Sequence, residues 1–276
     1  MIPAHNEAAV IGANLRHLLT GTGGDEFDVI VVANACTDRT ADAAREVGVR
    51  VIETPVPGKP NAIRLGDQAC RSFPRIYLDA DVRMSADSVR ALTKACETPG
   101  ILACAPLPEL DLAGVGPVAR RVHRVHDQLI GPSRALAGVG AYVLTEAGHA
   151  RVFPMPEVIS DDGWVHTSFA PHERLVVPEA RSSVRPARTV SAHLNRRVRV
   201  RRGNRQLADL GRSVAGGRPT LGALLRLVTR GRVGPVDAGC YLAVLVLDKL
   251  MTKLRGRRGT ASWGSDLSSR VAGPGH

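Results

Sequence analysis

The chain has 276 residues, of which 44% are hydrophobic and 23% are charged. This composition excludes an intrinsically disordered protein, and the length allows one large domain or a domain with an extension. The formal net charge of +11 is distributed unevenly, because residues 181–276 hold 20 lysines and arginines against four aspartates and no glutamate. We therefore expect an anionic partner to contact the C-terminal third of the chain.

Clustered basic residues can bind nucleic acid, an anionic membrane surface or a phosphorylated substrate, and a solvated basic face without a partner stays an alternative. Aromatic residues make up only 3% of the chain. Because single-strand binders stack bases on interleaved aromatic rings, no nucleic-acid partner is expected. The five cysteines show no CxxC spacing and the first residues do not resemble a leader peptide. Both observations favour reduced thiols and a cytoplasmic protein.

Short apolar runs alternate with helical patterns over the first 110 residues. The predicted strands are residues 27–34, 49–54, 75–81 and 100–107. The predicted helices, with apolar residues three and four apart, are residues 7–19, 38–47, 61–71 and 86–96. Thr37 and Ser85 are the expected N-caps of the second and fourth helices. The alternation predicts an α/β fold with a doubly wound, mostly parallel sheet, in which ligands bind outside the carboxyl ends of the strands.

The predicted strand 75–81 ends in two acids, Asp79 and Asp81, separated by a single alanine. Residues two apart in an extended chain point the same way, so both carboxylates are expected to face one site. Such a pair repels itself unless a cation or a donor lies between the acids, and it suits Mg²⁺ or Mn²⁺ shared with phosphate oxygens. On spacing alone, a helix cap followed by a solvated acid is an equal alternative.

Four stretches in order resemble the family 2 glycosyltransferases of the GT-A fold. They are "IPAHNEAAVIG", "VVANACTDRTA", "PVPGKPNAIRLG" and "YLDADV". The corresponding family patterns are a P-A-x-N-E opening, a strand ending in D-D-x-S-x-D, a G-K-x-x-A-x-x-x-G loop and a D-x-D. With a fifth stretch, "PEVISDDGWVHTSF", the resemblance covers roughly residues 1–170. It implies a metal-dependent, inverting transfer of a sugar from a nucleotide-diphosphate donor.

The resemblance also implies a donor site. Its donor-binding residues are Pro3, Ala4, Glu7, Asn34, Lys59 and Asp79. Lys59 is expected to approach the diphosphate, although a solvent-exposed loop lysine is the alternative, and Asp81 is expected to coordinate the Mg²⁺ or Mn²⁺ ion. Asn34 stands where relatives carry an acid, so the identity of the base, uridine or guanosine, stays open.

The fifth stretch supplies the acceptor side, with Asp161 and Asp162 in the paired acidic positions. Inverting transfer needs a base that takes the proton of the acceptor hydroxyl, and Asp162 is the predicted base. Asp161 could serve equally or hold an acceptor hydroxyl. In the family, a glycine loop corresponding to Gly138 and Gly140 lies beside the donor sugar, and a tight turn with positive φ is the equal alternative.

The stretch "RVRVRRGNRQL" resembles a degenerate Q/R-x-x-R-W motif. Arg202 and Arg205 match its basic positions, and Gln206 replaces the tryptophan. In relatives, these basic residues stabilise the leaving diphosphate, where negative charge grows in the transition state. A solvated basic helix is nearly as good an interpretation.

Two further helices are predicted beyond residue 210, and a basic cluster follows the second. Its apolar stretch is shorter than the roughly 20 residues of a membrane span. It therefore fits a core-docking helix or an interfacial helix on anionic lipid. We predict a catalytic domain over residues 1–185 and a basic, mainly helical extension over residues 186–276 with a Gly/Ser-rich tail.

Two functional hypotheses follow. The first is a glycosyltransferase that uses a UDP- or GDP-sugar and a hydroxyl acceptor, either a small molecule, a glycan or a lipid-linked compound, in the cytoplasm or at the inner face of the membrane. The second is a catalytically silent GT-A-like protein that binds a nucleotide-sugar or a membrane surface. Asn34, Gln206 and the short first strand motivate the second, while Asp79, Asp81 and Asp162 together favour the enzyme.

Overall fold

The computed structural model describes residues 1–131, 135–213 and 220–258, the last six of these by backbone alone. The strands are β1 (Ile2–Ala4), β2 (Ile30–Asn34), β3 (Arg50–Thr54), β4 (Arg75–Leu78), β5 (Arg83–Met84), β6 (Ala103–Leu110), β7 (Ala141–Leu144) and β8 (Arg174–Val184). The helices are α1 (Ile11–Leu19), α2 (Thr40–Arg45), α3 (Lys59–Ala69), α4 (Ala86–Ala95), α5 (Pro117–Ile130), α6 (Glu146–Val152), α7 (Asp161–Thr167), α8 (Val190–Asp209), α9 (Leu221–Thr229) and α10 (Pro235–Arg258).

The strands form two sheets. Strands β1, β2 and β3 are parallel and lie in that order. The second sheet has the order β4-β7-β6-β8-β5, and β7 is antiparallel to both β4 and β6. Because β7 reverses direction between them, β4 and β6 run the same way, as the sequence predicted. The second sheet adds a parallel β6–β8 pair and an antiparallel β5–β8 pair.

Met1 joins the two sheets. Its amino group donates a hydrogen bond to the Ile76 carbonyl at 2.6 Å, and the Leu78 amide donates to the Met1 carbonyl at 3.1 Å. This is the bonding pattern of parallel neighbours, in which one residue bonds to two residues that flank its partner. The carboxyl ends of β1, β2, β3 and β4 therefore lie at one edge, and the loops that follow them can share a site.

The core explains why β2 is a continuous apolar run. Ile30, Val31 and Val32 are fully buried, because helices cover both faces of the sheet. Val31 packs with α1 and α4 in one cluster, and its two neighbours pack with α3 and α7 in another. The predicted α/β class with a largely parallel sheet and flanking helices is confirmed.

The C-terminal helices pack on α5. A third apolar cluster contains Val122 and Val125 of α5, Leu194 of α8, Leu224 of α9 and Tyr241 of α10. The last predicted helix therefore docks on the core along one face. Within the described residues, no helix has the length and apolar character needed to cross a membrane. The division between residues 185 and 186 stays a prediction, and every described strand lies before it.

The sequence predicted N-caps at Thr37 and Ser85, and the first residues of α2 and α4 show whether these predictions hold. Ser85 is the N-cap of α4 and accepts a hydrogen bond from the Ser88 amide at 3.2 Å. The Thr37 cap is wrong, because α2 begins at Thr40. Asp38 takes that role in part, since its carboxylate accepts the Thr40 amide at 3.0 Å.

Candidate active site

A small pocket lies at the carboxyl edge, where β1 and β4 end and where α3 and α7 begin. Its lining is Pro3, Lys59, Ile63, Tyr77, Leu78, Asp79, Gly140, Ala141, Tyr142, Asp161 and Asp162. Six of these residues carry predicted roles in the site. A larger cavity of about 560 Å³ lies at the amino ends of β2 and β4, and none of the predicted site residues lines it.

Lys59 lies between two acids of this pocket. It begins α3 directly after Gly58, whose φ of 126° is one that glycine adopts without strain. Its ammonium lies 2.7 Å from Asp79 Oδ1 and 2.9 Å from Asp161 Oδ1. Burial alone would lower the pKa of Lys59, but the charges of Asp161 and Asp79 outweigh burial and raise it well above its usual value. Lys59 is therefore a fixed cation in a partly closed site.

Asp161 is the buried member of the acidic pair. It is 5% exposed, and the Tyr142 hydroxyl lies 3.4 Å from its Oδ2. Burial raises the pKa of Asp161, and the positive charge of Lys59 opposes that rise. Asp161 thus needs Lys59 to stay ionised, and it presents little surface to a ligand.

Asp162 is half-buried and contacts the glycine loop. Its Oδ2 accepts the Gly138 amide at 2.6 Å. Its Oδ1 accepts the Ser160 hydroxyl and the Gly163 amide, both at 2.8 Å. Asp162 therefore ties the segment before β7 to the start of α7, and the residue stays half-buried at the pocket wall.

The glycine loop requires glycine for two reasons. Gly138 and Gly140 have φ values of +75° and +76°, a region that other residues rarely adopt. A Cβ on Gly140 would lie 2.4 Å from a Val82 side-chain carbon. The Gly140 carbonyl also accepts the Asp79 amide at 2.9 Å. The loop is thus a tight turn that also borders the pocket, so the two interpretations of these glycines are compatible.

The expectation that Asp79 and Asp81 share one face of an extended strand is wrong. Strand β4 ends at Leu78, and the Val82 amide donates to the Asp79 carbonyl at 3.1 Å, which closes a turn. The two acids still act on each other. Burial and the negative charge of Asp79 raise the pKa of Asp81, while the positive charges of Arg196 and Lys59 oppose the rise.

The turn that contains Asp79 and Asp81 is the candidate metal site. Within the described part of the chain, no three histidine, cysteine, aspartate or glutamate side chains are grouped to hold a metal ion. Asp81 and Asp79 offer hard oxygen donors with mutual repulsion, which a cation would relieve. Mg²⁺ and Mn²⁺ often take one or two carboxylates and complete their coordination with water and phosphate oxygens. The residues therefore fit an ion shared with a phosphorylated ligand and do not form a closed protein cage.

Asn34, the last residue of β2, bonds to the end of β1 and to the loop before α3. It is 4% exposed. Its Nδ2 donates to the Ala4 carbonyl at 2.8 Å, and its Oδ1 accepts the Gly58 amide at 3.2 Å. A carboxylate could accept the second bond but could not donate the first. The amide that departs from the family pattern therefore has a structural reason.

The opening loop is held against the loop after β2. The Glu7 amide donates to the Thr40 hydroxyl at 2.8 Å, and Glu7 itself is buried. The Ala8 amide donates to Asp38 Oδ2 at 3.1 Å. These contacts hold the predicted donor-binding residue Glu7 against the loop that follows β2, and Ala4 bonds to Asn34 at the end of that strand.

Helix α8 supports the segment before α7. The Gln206 Nε2 donates to the Glu157 carbonyl at 2.8 Å, and its Oε1 accepts the Ile159 amide at 2.8 Å. Gln206 thus holds the residues that lead into Asp161. Arg202 is half-buried and Arg205 is exposed on the same helix, and neither lines the pocket.

Three contributors were missed from the sequence. Tyr142 contacts Asp161, Ser160 contacts Asp162, and Arg196 lies close enough to Asp81 to affect its pKa. Ser160 directly precedes the two acids, so its position offered a signal. Tyr142 and Arg196 reach the site only through the pairing of β7 with β4 and the path of α8, which the local sequence does not encode.

Comparison with known proteins found one family model and similar solved structures. Residues 1–113 match the model of glycosyl transferase family 2, and a search of curated proteins found no match. Among solved structures, glucosyl-3-phosphoglycerate synthase from Mycobacterium tuberculosis in complex with Mg²⁺ and UDP is similar with a TM-score of 0.53 and 20% identity, covering 78% of this chain and 79% of that chain. The same synthase in complex with Mn²⁺, UDP-glucose and phosphoglyceric acid has a TM-score of 0.52 and 20% identity, covering 78% and 80%.

The protein therefore shares the GT-A fold of these structures. Its first 113 residues match the glycosyl transferase family 2 model, as the sequence motifs predicted. That segment contains the predicted donor and metal residues from Pro3 to Asp81. Asp161, Asp162 and the arginines of α8 lie beyond it, so their roles depend on the geometry described above.

Proposed function

We propose that the protein is a metal-dependent, inverting glycosyltransferase that moves a sugar from a UDP- or GDP-sugar to a hydroxyl acceptor. One observation carries the proposal. Lys59, Asp79, Asp161 and Asp162 come from separate parts of the sequence and meet in one pocket at the carboxyl edge of the sheet. In α/β folds this edge is where ligands bind.

On the donor side, we propose that Pro3, Ala4, Glu7, Asn34 and Asp79 form the nucleotide-binding surface. The role of Asn34 is to fix the backbone of Ala4 and Gly58, since both ends of its side chain already bond to backbone. Lys59 is proposed to contact the donor diphosphate, because it lines the pocket and its ammonium can pair with phosphate oxygens. Its two aspartates hold it in place until the phosphates arrive.

Asp81, with Asp79 beside it, is the proposed holder of Mg²⁺ or Mn²⁺. When bound, the ion would supply positive charge to the diphosphate as it leaves. Burial, and after it the negative charge of Asp79, raise the pKa of Asp81 even with Lys59 and Arg196 nearby, so a further cation beside these carboxylates would be favourable. Arg202 and Arg205 do not line this pocket, and we propose, from the motif match of α8 alone, that they contribute further positive charge to the leaving group.

Asp162 is the proposed base. It is partly exposed and bonds to the amide of Gly138 in the loop proposed to lie beside the donor sugar. Asp162 would take the proton of the acceptor hydroxyl while that oxygen attacks the anomeric carbon and the diphosphate leaves on the opposite side. Asp161 is buried against Lys59, so we assign it a positioning role through that lysine.

The silent alternative depends on Asn34, Gln206 and the short first strand. Asn34 and Gln206 depart from the family pattern. Each side chain makes two hydrogen bonds to backbone that holds a loop of the candidate site. Both departures therefore have structural reasons that do not require loss of activity.

Release of nucleotide from a panel of UDP- and GDP-sugars tests the proposal directly. The assay would contain Mn²⁺ and mixed hydroxyl acceptors, and would detect free UDP or GDP. We expect release with one nucleotide class that requires the metal and is lost in Asp162→Asn. A folded protein that binds these nucleotides but releases none with any acceptor would support the silent alternative instead.

A further inference from the structure

Helix α10 has two apolar faces, and the described residues of the chain cover only one of them. Tyr241 and Val244 on the inner face pack against Val122 and Val125 of α5. The outer face carries five large apolar side chains that stay exposed. They are Val236 at 65%, Leu242 at 38%, Val246 at 56%, Leu247 at 42% and Leu250 at 55% exposure. A contiguous exposed apolar stripe of this kind usually marks a surface that contacts something else.

The exposed stripe carries no negative charge. Asp237 and Asp248 are the only acidic residues between positions 210 and 258 of the sequence. Asp237 pairs with Arg121 of α5. Asp248 is 5% exposed and pairs with Arg197 and Arg201 of α8, both at 2.7 Å. Both acids of α10 are therefore neutralised within the fold and turned away from the outer face.

Helix α9 packs in the same apolar cluster as the inner face of α10 and also exposes basic and apolar residues. Arg226, Arg230 and Arg232 are exposed on α9 and in the loop that follows it. Leu221 and Leu225 of α9 are also exposed, at 70% and 61%. We call the exposed residues of α9, this loop and α10 the α9–α10 face.

We propose that the α9–α10 face docks on an anionic lipid bilayer surface, with α10 lying in the interface plane. An apolar stripe with basic residues beside it and no acid matches acyl chains next to anionic headgroups. A second copy of this chain would bring two basic surfaces together, which disfavours self-association. The inference is independent of sugar transfer, because it uses no residue of the candidate active site.

Vesicle flotation of the full-length protein tests the proposal. The probes are vesicles of phosphatidylcholine alone and vesicles with about one third phosphatidylglycerol. We expect binding to the anionic vesicles only, with a partition coefficient that falls as salt rises. Equal binding to both vesicles, or binding to neither, would overturn the proposal.

Two variants with matched controls locate the contact. Val246→Gln/Leu250→Gln should lower the partition coefficient about tenfold, because two apolar side chains leave the interface. The control Val56→Gln/Leu175→Gln changes residues that are 54% and 36% exposed outside the α9–α10 face, and it should bind as the unchanged protein does. A loss of the same size in the control would contradict the assigned surface.

The basic residues are tested in the same way. Arg226→Gln/Arg230→Gln/Arg232→Gln should weaken binding by about fivefold for each charge removed. The control Arg16→Gln/Arg71→Gln/Lys94→Gln removes three exposed charges from the N-terminal part and should leave binding largely intact. If the protein instead forms a dimer that Val246→Gln/Leu250→Gln breaks, the face joins two copies and the lipid proposal is wrong.

Discussion

The ammonium of Lys59 lies 2.9 Å from the buried carboxylate of Asp161 and joins the start of α3 to the start of α7. The same ammonium lies 2.7 Å from Asp79 at the end of β4. A single cation thus connects three segments that the family motifs identify separately. Stability and ligand binding are expected to be coupled at this residue.

Replacing Lys59 tests that coupling. Lys59→Met leaves Asp161 buried without its cation, and we expect a loss of about 2 kcal/mol in the free energy of unfolding, measured with urea. Lys59→Met/Asp161→Asn should recover a large part of this loss, because no uncompensated charge remains. The exposed control Lys94→Met should change stability by less than about 0.5 kcal/mol. A double variant as unstable as the single one would show that the ion pair does not dominate here.

Asn34→Asp introduces the acid that the family pattern has at this position, and we expect it to lower the stability of this chain. The carboxylate cannot donate to the Ala4 carbonyl, so a buried acceptor loses its partner and faces a negative charge. We expect a loss of about 2 kcal/mol in the free energy of unfolding, against little change for Asn204→Asp at an exposed position of α8. Equal stability together with tighter nucleotide binding would show that the amide is not needed.

Asp162→Asn separates binding from chemistry. We expect the rate of sugar transfer to fall by about 10²-fold or more, with donor affinity changed only a few-fold, because the amide cannot take a proton. The measurements are nucleotide release and donor titration on the same samples. Asp209→Asn, at an exposed position of α8, serves as control. Full activity of Asp162→Asn would exclude it as the base.

Two histidines, buried His166 and half-buried His193, predict how stability depends on pH. Burial and the charge of Arg174 lower the pKa of His166 from 6.5 to about 4. Burial and the charges of His123 and Arg197 lower the pKa of His193 from 6.5 to about 3. As pH falls through 6.5, these two histidines bind protons in the unfolded chain before they do so in the folded chain. The free energy of unfolding should therefore fall as pH drops below about 6.5. The slope is at most about 1.4 kcal/mol per pH unit for each histidine.

Urea unfolding between about pH 5 and pH 7 measures this slope. His166→Gln/His193→Gln should reduce it, whereas His172→Gln, an exposed position, should not. The pKa values of Asp81 and Asp161 are raised above 3.8, so the folded chain binds these protons first and stability rises as pH falls toward 3.8, which opposes the effect of the histidines. An unchanged slope in the double variant would mean that the two histidines are not kept neutral by folding.

The sequence predicted the parts of the site that depend on strand ends. Asp79 and Lys59 meet because β1, β2, β3 and β4 share one carboxyl edge, and apolar runs followed by polar motifs signal that edge. The sequence predicts a strand that continues to Asp81, but β4 ends at Leu78 and a turn follows. The apolar pattern does not show at which of these residues the strand ends. The hydrogen bond from the Val82 amide to the Asp79 carbonyl decides this point.

Other features depend on distant pairing and could not be predicted. Tyr142 reaches Asp161 because β7 inserts between β4 and β6. Gln206 supports the segment before α7 because α8 crosses it, although the sequence suggested only a lost tryptophan. The charged pairs of Asp237 and Asp248 leave α10 with an acid-free outer face, and no periodicity in the sequence shows where those acids find their partners.

The central claim is that the pocket at the carboxyl edge of the sheet binds a nucleotide diphosphate together with a divalent ion. Asp81, two residues after the Asp79 that lines the pocket, is the proposed holder of that ion. Thermal unfolding with UDP, GDP and ADP, each with and without Mn²⁺, tests it most directly, because a ligand that binds only the folded state raises the unfolding temperature. We predict that one nucleotide raises this temperature by about 3 °C or more at saturating concentration, only with Mn²⁺. The shift should vanish in Asp81→Asn and remain in Asp87→Asn, an exposed control. A folded sample that no nucleotide stabilises, or a shift that persists in Asp81→Asn, would contradict the claim.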